Sequence, residues 1–463
     1  MSTKRFVVPG AGPRAALGRG RDLCYRPAVP APIDPAAPPG EAAPRGRLRR
    51  LLGAAAMDLG PLRRRDFRLL FAGQLITFFG SMITFVAIPY QVYALTGSSL
   101  AVGLLGLAEL VPLLLTAFVG GALADARDRR SMVLLTELGL MAGSAALLFN
   151  ASLPRPLLWP LYVIAGAMAA LAGLQRPSLE AMTPRLVDRD ELPAAGALSS
   201  LRGNLGMIAG PSVGGALIAY AGLPATYAVD LGTFVVSLLA LRAMRTVPPP
   251  ADAERPSLKG ILGGLRYAWS RQELIGTYAI DFVAMVFGIP TALFPALAEP
   301  LGGPAVLGLL HAAPSVGALL ATLTSGWTKR VHRHGAAVIC AAVVWGLAVT
   351  AFGLARSLPV ALACLALAGA ADMVSGLFRM TLWNQTIPDA LRGRLAGIEM
   401  VSYTSGPLLG HVESGAVAAL AGPRFSVASG GLLCVVGVVI CAALLPGLRR
   451  YDARTSPQPA ASP

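Results

Sequence analysis

The sequence predicts an all-α integral membrane protein whose twelve transmembrane helices form two six-helix pseudo-repeats. Three observations indicate this fold: the composition, the spacing of apolar segments, and an internal repeat. Of 463 residues, 55% are hydrophobic and only 14% are charged, and the mean hydropathy is +0.62. A soluble protein carries about 25% charged residues, so this chain lacks the polar surface that an ordinary soluble protein needs.

Apolar segments follow one another from Phe67 onward, separated by short polar turns or by turns rich in Gly and Pro. Each segment has close to the ~20 residues that a helix needs to cross the hydrocarbon core of a membrane. The predicted spans are 68–95, 99–124, 131–151, 157–182, 195–221, 225–244, 274–297, 304–327, 335–355, 359–383, 395–420 and 425–446.

The net charge of +15 reflects membrane topology rather than nucleic-acid binding, because the basic residues cluster in alternate loops. One set of loops includes the segments before the first span and after the last, and it holds most of the Arg and Lys. The other set holds Arg155, Arg356 and Arg424. The positive-inside rule places the basic set in the cytoplasm. We therefore expect a multi-pass protein of the plasma (inner) membrane, in contact with lipid, with both termini cytoplasmic.

The chain outside the two halves divides into two tails and a linker. Residues 1–60 form a Pro/Arg-rich segment that we expect to be disordered, and residues 449–463 a second disordered tail. Met57 directly precedes a basic cap and the first span, so residues 1–56 are either a mis-called start or a dispensable tail. A basic tail that touches anionic lipid is the alternative. No apolar signal-peptide region is present near the start.

The predicted halves, 61–244 and 274–448, are joined by a cytoplasmic linker over 245–273. One helical face there favours a helix lying in the membrane interface, with a solvated loop as the alternative. Its residues are Leu258, Ile261, Leu262, Leu265 and Trp269. The halves echo each other: Gly210–Gly214 reads GPSVG and Gly406–Gly410 reads GPLLG, and Pro89 and Pro290 are each predicted to interrupt the first span of their half. Parallel repeats of six helices are typical of rocking secondary transporters, with the path between the halves.

The turn after the second span reads GGALADARDRRSMVL and resembles the signature of the major facilitator superfamily. Gly121, Asp125, Arg129 and Arg130 fall in register, whereas Asp128 replaces the usual turn glycine. The resemblance implies that Asp125 takes part in a latch that closes the cytoplasmic side. A plain basic turn is the alternative, but it would not explain the Gly-x-Leu-Ala-Asp pattern.

The fifth span resembles the motif of exporters (antiporters) in this superfamily. Glycines four residues apart let a neighbouring backbone approach, and Pro211 removes one helical hydrogen bond. A GxxxG motif alone also arises from helix packing. The resemblance to exporters therefore depends on the full pattern G-x-x-x-G-P-x-x-G-G. The motif residues are Gly206, Gly210, Pro211, Gly214 and Gly215.

The second half resembles the enterobactin-exporter branch of the drug/proton family, and the similarity covers roughly residues 60 to 450. This implies a secondary transporter that exports a small amphipathic molecule, a siderophore or a drug-like compound of the kind handled in multidrug resistance, in exchange for protons. We expect a monomer without cofactors or a metal site. Uptake is the main alternative; a membrane enzyme or an ion channel is disfavoured, because no catalytic motif or filter-like segment is present.

Ionisable residues within spans are candidates for function because their burial in a membrane is costly. We predict Asp281 and Glu109 as proton carriers, with a fixed ion pair as the alternative for Asp281. For Arg176 and Arg379, which occupy matching repeat positions, structural pairing is favoured over substrate contact. Further expectations are cavity or ion-pair contact for Asp372, packing roles for His311 and His411, and side chains that extend to the membrane surface for Glu137 and Arg202.

Overall fold

The computed structural model describes residues 58–126, 128–247, 266, 267 and 269–454, and it leaves out the side chains of 117–119, 121, 122, 124–126, 389, 390, 392–394 and 396–402. The predictions for the N-terminal tail, for most of the linker and for the last nine residues therefore lie outside the described residues. The described residues are predominantly helical, and no strand occurs among them.

The N-terminal half begins with a 3₁₀ turn, Gly60–Arg63, and continues with long helices. The helical stretch Leu192–Arg242 is interrupted at Gly222, where φ is +80°, a conformation that glycine adopts without the steric cost of a Cβ. We label its two arms α5 (192–221) and α6 (223–242). The preceding helices are α1 (Arg65–Thr96), α2 (Ser99–Ala126), α3 (Arg129–Ala151) and α4 (Trp159–Leu186).

The C-terminal half also contributes six long helices. The first, α7 (Gln272–Phe287), stops at Gly288 and resumes as a 3₁₀ turn at Thr291–Leu293 and a short helix at Phe294–Ala298. The others are α8 (Pro304–Leu323), α9 (His334–Leu354), α10 (Leu358–Thr386), α11 (Asp389–Ala421) and α12 (Pro423–Leu444), followed by the short α13 (Pro446–Arg450).

The prolines in the first span of each half differ in effect. Pro290 coincides with a break in α7, as the sequence predicts. The matching prediction for Pro89 is wrong, because α1 remains helical from Arg65 to Thr96. A proline inside a transmembrane helix is tolerated when neighbouring groups satisfy the freed carbonyl.

The twelve long helices agree with the twelve predicted spans. Nine stretches of the described chain are long and apolar enough to cross a membrane, and one of them contains both α5 and α6. Successive helices alternate in direction, so the start of α1 and the end of α12 lie at the same end of the bundle. We call this the terminal end and the other the opposite end.

The predicted C-terminal tail begins later than expected. Residues 449 and 450 belong to α13, and Tyr451 is buried. The Tyr451 hydroxyl donates to Oε1 of Gln385 at 3.1 Å, and the Ala453 amide donates to the His332 carbonyl at 2.9 Å. The prediction of disorder from residue 449 is therefore wrong as far as residue 454, because a buried aromatic ring and these hydrogen bonds attach the segment to the bundle.

Backbone-to-backbone contact joins α8 and α10. A Cβ added at Gly317 would overlap the carbonyl oxygen of Ala366, and one at Gly369 would overlap that of Pro314. Small residues allow this approach, which gains van der Waals contact where lipid provides no hydrophobic drive between helices. The α8–α10 contact therefore requires glycine on both helices.

We predict that Gly317→Ala destabilises the protein by about 1–3 kcal/mol, the usual cost of overpacking. The obstacle is a backbone carbonyl, which a side-chain rotation cannot move aside. The measurement is thermal melting in detergent, with Gly232→Ala in α6 as the matched control, because a Cβ there meets nothing within 4 Å. Equal melting temperatures for the two variants would contradict the prediction.

Candidate functional site

A cavity of about 50 Å³ lies between the two halves, and we call it the central cavity. Helices α1 and α2 form one wall, and α8, α11 and the break after α7 form the other. Its lining residues are Phe85, Ile88, Pro89, Val102, Leu105 and Glu109 from the N-terminal half and Thr291, Ala292, His311 and His411 from the C-terminal half.

The break in α7 shapes one wall of this cavity. Pro290 has no amide hydrogen and cannot continue the helical ladder, and Gly288 ends α7 by donating to the Ala284 carbonyl at 2.8 Å. The chain then turns so that Thr291 faces the cavity, where its Oγ1 lies 2.8 Å from Nε2 of His411. Irregular backbone at this depth is tolerated where it lines a cavity.

Two imidazoles and one carboxylate share the central cavity. The His311 ring packs edge-on against Phe85 at 5.5 Å and Phe294 at 4.8 Å between ring centroids. Packing accounts for His311, as the sequence predicts, but both histidines also line the cavity that Glu109 enters from α2. The cavity is therefore largely apolar, and its three ionisable groups are Glu109, His311 and His411.

Sequence reasoning missed this grouping, although a signal for it exists. Glu109 lies ten residues after Ser99, His311 seven residues after Pro304, and His411 ten residues before Ala421. All three counts start from the opposite end, so the rise of 1.5 Å per residue places the side chains at similar depths, about 10–15 Å from that end.

A second recess, of about 10 Å³, lies within the C-terminal half among α7, α9 and α10, and we call it the charged recess. Arg379 of α10 forms an ion pair with Asp281 of α7. Arg379 Nη2 also lies 3.9 Å from Oδ1 of Asp372. Both acids line the recess, but the Asp281 side chain is only 7% exposed and that of Asp372 is 43% exposed.

The structure therefore shows the ion-pair alternative for Asp281 that the sequence left open. Asp281 has no basic neighbour within its own helix, but Arg379 reaches it from a helix almost one hundred residues later. Nothing in local sequence spacing reports such a pair, because it depends on how α7 and α10 are rotated against each other.

Arg176, at the matching position of the first half, pairs differently. Its Nε lies 3.0 Å from Oε1 of Glu180 on the same helix. The guanidinium also lies 5.2 Å from the ring centroid of Tyr403 on α11, a cation–π distance. Arg176 thus connects the two halves, whereas Arg379 connects two helices within one half.

The signature turn after α2 is anchored by its arginines. Gly121 and Asp125 lie in α2, and the Asp125 side chain is outside the described residues. Arg129 Nη1 donates to the Ala181 carbonyl at 3.1 Å, and Arg130 donates to the carbonyls of Leu241 and Arg242 at 2.7 and 2.8 Å. Arg130 thus caps the C-terminus of α6, where a cation is favourable.

Asp128, which departs from the superfamily signature, has a structural role of its own. Its side chain caps α3 by accepting from the Ser131 amide at 2.8 Å, and it accepts from the Val247 amide at 2.7 Å. Burial alone would raise the pKa of Asp128, but these hydrogen bonds and the Arg130 charge outweigh burial and lower it. The spacing Asp-x-x-Ser before an apolar run is a helix-start signal that sequence reasoning could have used.

The glycines of the antiporter-type motif serve two interfaces. Gly206 and Gly210 pack α5 against Phe78 and Met82 of α1, and Gly214 packs near Ile83. Gly215 faces the other half instead, where an added Cβ would lie 2.6 Å from the Gly308 amide nitrogen of α8. The Pro211 carbonyl also contacts Gly308. The motif therefore lies where α5 meets both its own half and the other one.

Comparisons with known proteins agree with this architecture. The chain is 31% identical over 404 residues to the enterobactin exporter EntS of Escherichia coli O1:K1, and the match covers 86% of this chain and 95% of the exporter. A bacterial homologue of the iron transporter ferroportin in its inward-facing state superposes with a TM-score of 0.62 at 17% identity, over 83% of this chain and 99% of that one. The nucleoside transporter NupG superposes with a TM-score of 0.66 at 11% identity, over 84% and 100%.

The structural likenesses show the fold, and the sequence match shows the family. The family model described as transmembrane secretion effector matches residues 56–461, a range that includes every described residue. These findings confirm the predicted all-α membrane fold and the resemblance to the enterobactin-exporter branch, and they identify a transporter rather than an enzyme. The chain belongs to the transmembrane secretion effector family.

Proposed function

We propose that this protein exports a small amphipathic, siderophore-like molecule through the central cavity, as a monomer, in exchange for protons. The observation that carries the proposal is the position of the cavity, which is lined by helices from both halves. In transporters built from repeats, the substrate site lies at the interface of the repeats, and rocking of one against the other exposes it to each side in turn.

The walls of the cavity suit an amphipathic cargo. Apolar side chains such as Ile88 and Leu105 form most of the surface, while Glu109 and His411 offer polar contacts. The relative EntS is named for the export of enterobactin, which supports a siderophore as the cargo class.

The packing of the halves supports loading from the terminal end. Near the opposite end, α5 contacts α8 through Gly215 and Gly308, and α2 contacts α11 where Gly103 meets the His411 carbonyl. The basic residues Arg129 and Arg130 lie at the terminal end, and by the positive-inside rule that end faces the cytoplasm. Cargo that enters from the cytoplasm fits export.

Proton coupling has two candidate sites, Asp281 in the charged recess and Glu109 in the central cavity. Protonation of Asp281 would neutralise one member of its ion pair with Arg379. Arg379 could then pair with Asp372, the other acid of the recess. Such an exchange of partners links a proton to the contact between α7 and α10. Glu109 instead lies on the cargo path itself.

The function is tested by transport in everted membrane vesicles that contain the full chain. We expect enterobactin to accumulate inside the vesicles when a proton gradient is imposed, and counterflow without the gradient to persist. A lipophilic dye, which represents drug-like cargo, is assayed in the same way for comparison with the siderophore. Accumulation that ignores the proton gradient, or that occurs in the opposite direction, would contradict the proposal.

We predict that Asp281→Asn abolishes gradient-driven accumulation but leaves counterflow measurable, because only the proton step is lost. Asp281→Glu should retain part of the activity. The measurement compares accumulation with and without the gradient at matched protein levels.

The double variant Asp281→Asn with Arg379→Gln separates coupling from a fixed ion pair. It removes both charges, so it should restore uphill transport if the pair only stabilises the fold, and it should stay uncoupled if Asp281 carries the proton. Uphill transport in the double variant or in Asp281→Asn alone would exclude Asp281 and leave Glu109 as the carrier, to be tested with Glu109→Gln.

A further prediction concerns the latch. Asp125→Asn should preserve protein levels and melting temperature but slow transport, because it removes a charge while keeping side-chain volume. The control is Asp128→Ala, which removes the α3 cap and should lower stability by about 0.5–2 kcal/mol, the usual value of an N-cap. Unchanged turnover in Asp125→Asn at normal protein levels would show that Asp125 serves topology alone.

A further inference from the structure

Two carboxyl groups lie deep in the N-terminal half, and no described basic side chain pairs with them. Glu137 of α3 and Asp230 of α6 are both 0% exposed. In the part of the chain that the structure describes, neither is among the ion pairs, in contrast to Asp281 with its Arg379. The expectation that Glu137 extends to the membrane surface is wrong, because the side chain points between α1 and α6 rather than along its own helix.

Glu137 lies nearer the terminal end of the bundle. Its Oε1 accepts from Gln74 Nε2 of α1 at 2.6 Å, while its Oε2 is buried without a hydrogen-bond partner. Gly73 allows α6 to pack directly on α1 at this level, since a Cβ there would lie 3.1 Å from Oγ of Ser237. The Ser237 hydroxyl is also buried without a partner.

Asp230 makes a similar set of contacts deeper in the membrane. We call the surroundings of Glu137 and of Asp230 the two levels. Its Oδ2 accepts from Thr84 Oγ1 of α1 and from Ser144 Oγ of α3, both at 2.6 Å. Its Oδ1 is buried without a partner and faces Gly80, where an added Cβ would lie 2.6 Å away. Among the described residues, each acid therefore has one oxygen that accepts a well-formed hydrogen bond and one buried oxygen that meets the geometry of none.

The two levels repeat along all three helices at a spacing of seven residues. On α1 the close approach is made at Gly73 and Gly80, on α3 the polar groups are Glu137 and Ser144, and on α6 they are Ser237 and Asp230. Seven residues rise by about 10 Å. Thr77 lies between the levels on α1, and its hydroxyl is buried without a partner. We call this row, continued by Tyr227 and Gln91, the polar seam.

The other titratable groups around the polar seam do not neutralise the acids. The Tyr227 hydroxyl donates to Oε1 of Gln91 at 2.8 Å, on the side toward the opposite end. Arg129 lies two turns before Glu137 on α3 and donates to the Ala181 carbonyl of α4. Tyr227 thus lies beyond Asp230 toward the opposite end, and Arg129 lies beyond Glu137 toward the terminal end. Between them the seam consists of hydroxyl, amide and carboxyl groups.

Hydrogen bonding between helices explains the hydroxyls and amides of the seam, but it does not require the acids. Asn and Gln would make the same contacts, and a buried ionised carboxylate with no cation is strongly disfavoured. A carboxyl group that binds a proton is neutral and retains an acceptor oxygen for Thr84, Ser144 or Gln74. Acids at these positions are therefore explained by protons that they bind and release.

We propose that Glu137 and Asp230 are exchangeable proton-binding sites of the N-terminal half. Each carboxylate takes up one proton from water at the terminal end, Glu137 first and Asp230 after it, and returns to the carboxylate when the proton leaves. The assignment rests on the proposed function for its use in transport, because it adds an N-terminal proton site to the charged recess of the C-terminal half.

The test is infrared spectroscopy of the purified full chain in lipid, which detects the C=O stretch of a protonated carboxyl group. At neutral pH we expect such a band, expect it to shift in D₂O as the protons exchange, and expect part of it to disappear in Asp230→Asn and part in Glu137→Gln. The matched control is Glu299→Gln, an exposed acid at the opposite end, which should leave the band unchanged. A band that neither seam variant reduces would overturn the proposal.

A second variant keeps the test decisive if an acid variant fails to fold. Thr84→Val removes one hydrogen bond to the Asp230 carboxyl and should raise the frequency of its band, whereas an ionised Asp230 would give no band to move. Vesicle transport is the separate readout: both acid variants should lose gradient-driven accumulation and keep counterflow. Loss of the band without any effect on coupled transport would refute the transport role, and gradient-independent export by the parent chain would refute the proposed function instead.

Discussion

The cost of an uncompensated charge in the membrane interior is the constraint on which the arrangement of polar residues in this bundle depends. An ionisable side chain within a span has to be paired, neutral or exposed to an internal cavity. The C-terminal half meets this requirement with the ion pair of Arg379 and Asp281. The N-terminal half surrounds Asp230 with hydroxyl donors from Thr84 and Ser144. Two related halves thus solve the same problem by different chemistry.

Close approach of helix backbones is what makes these polar contacts possible. Asp230 reaches α1 because residue 80 is glycine, and α5 reaches α8 across the two halves because Gly215 and Gly308 face each other. In lipid, helices gain from such contact through van der Waals packing rather than through water release. Smooth glycine surfaces also leave few interlocked side chains, which suits an interface between halves that has to part and re-form.

Local sequence predicts the spans well and the contacts between them poorly. Apolar length and the bias of Arg and Lys are properties of each segment, so all twelve helices could be predicted, and the break at Pro290 followed from the chemistry of one residue. The pairing of Asp281 with Arg379 depends on the relative rotation of α7 and α10, which no local pattern encodes. The grouping of Glu109 with His411 required a comparison of depths across different helices.

Equivalent positions of the two halves hold different contacts. Arg176 and Arg379 match in the repeat, yet Arg176 contacts Tyr403 across the halves and Arg379 pairs with Asp281 inside one half. A contact across the halves changes when they rock, whereas a contact inside one half changes only if its own helices move. The contacts of Arg176 therefore respond to the position of the halves, and those of Arg379 respond to the charge on its acidic partners. The proposed proton-coupled export requires both kinds of response, and the two matching arginine positions supply one each.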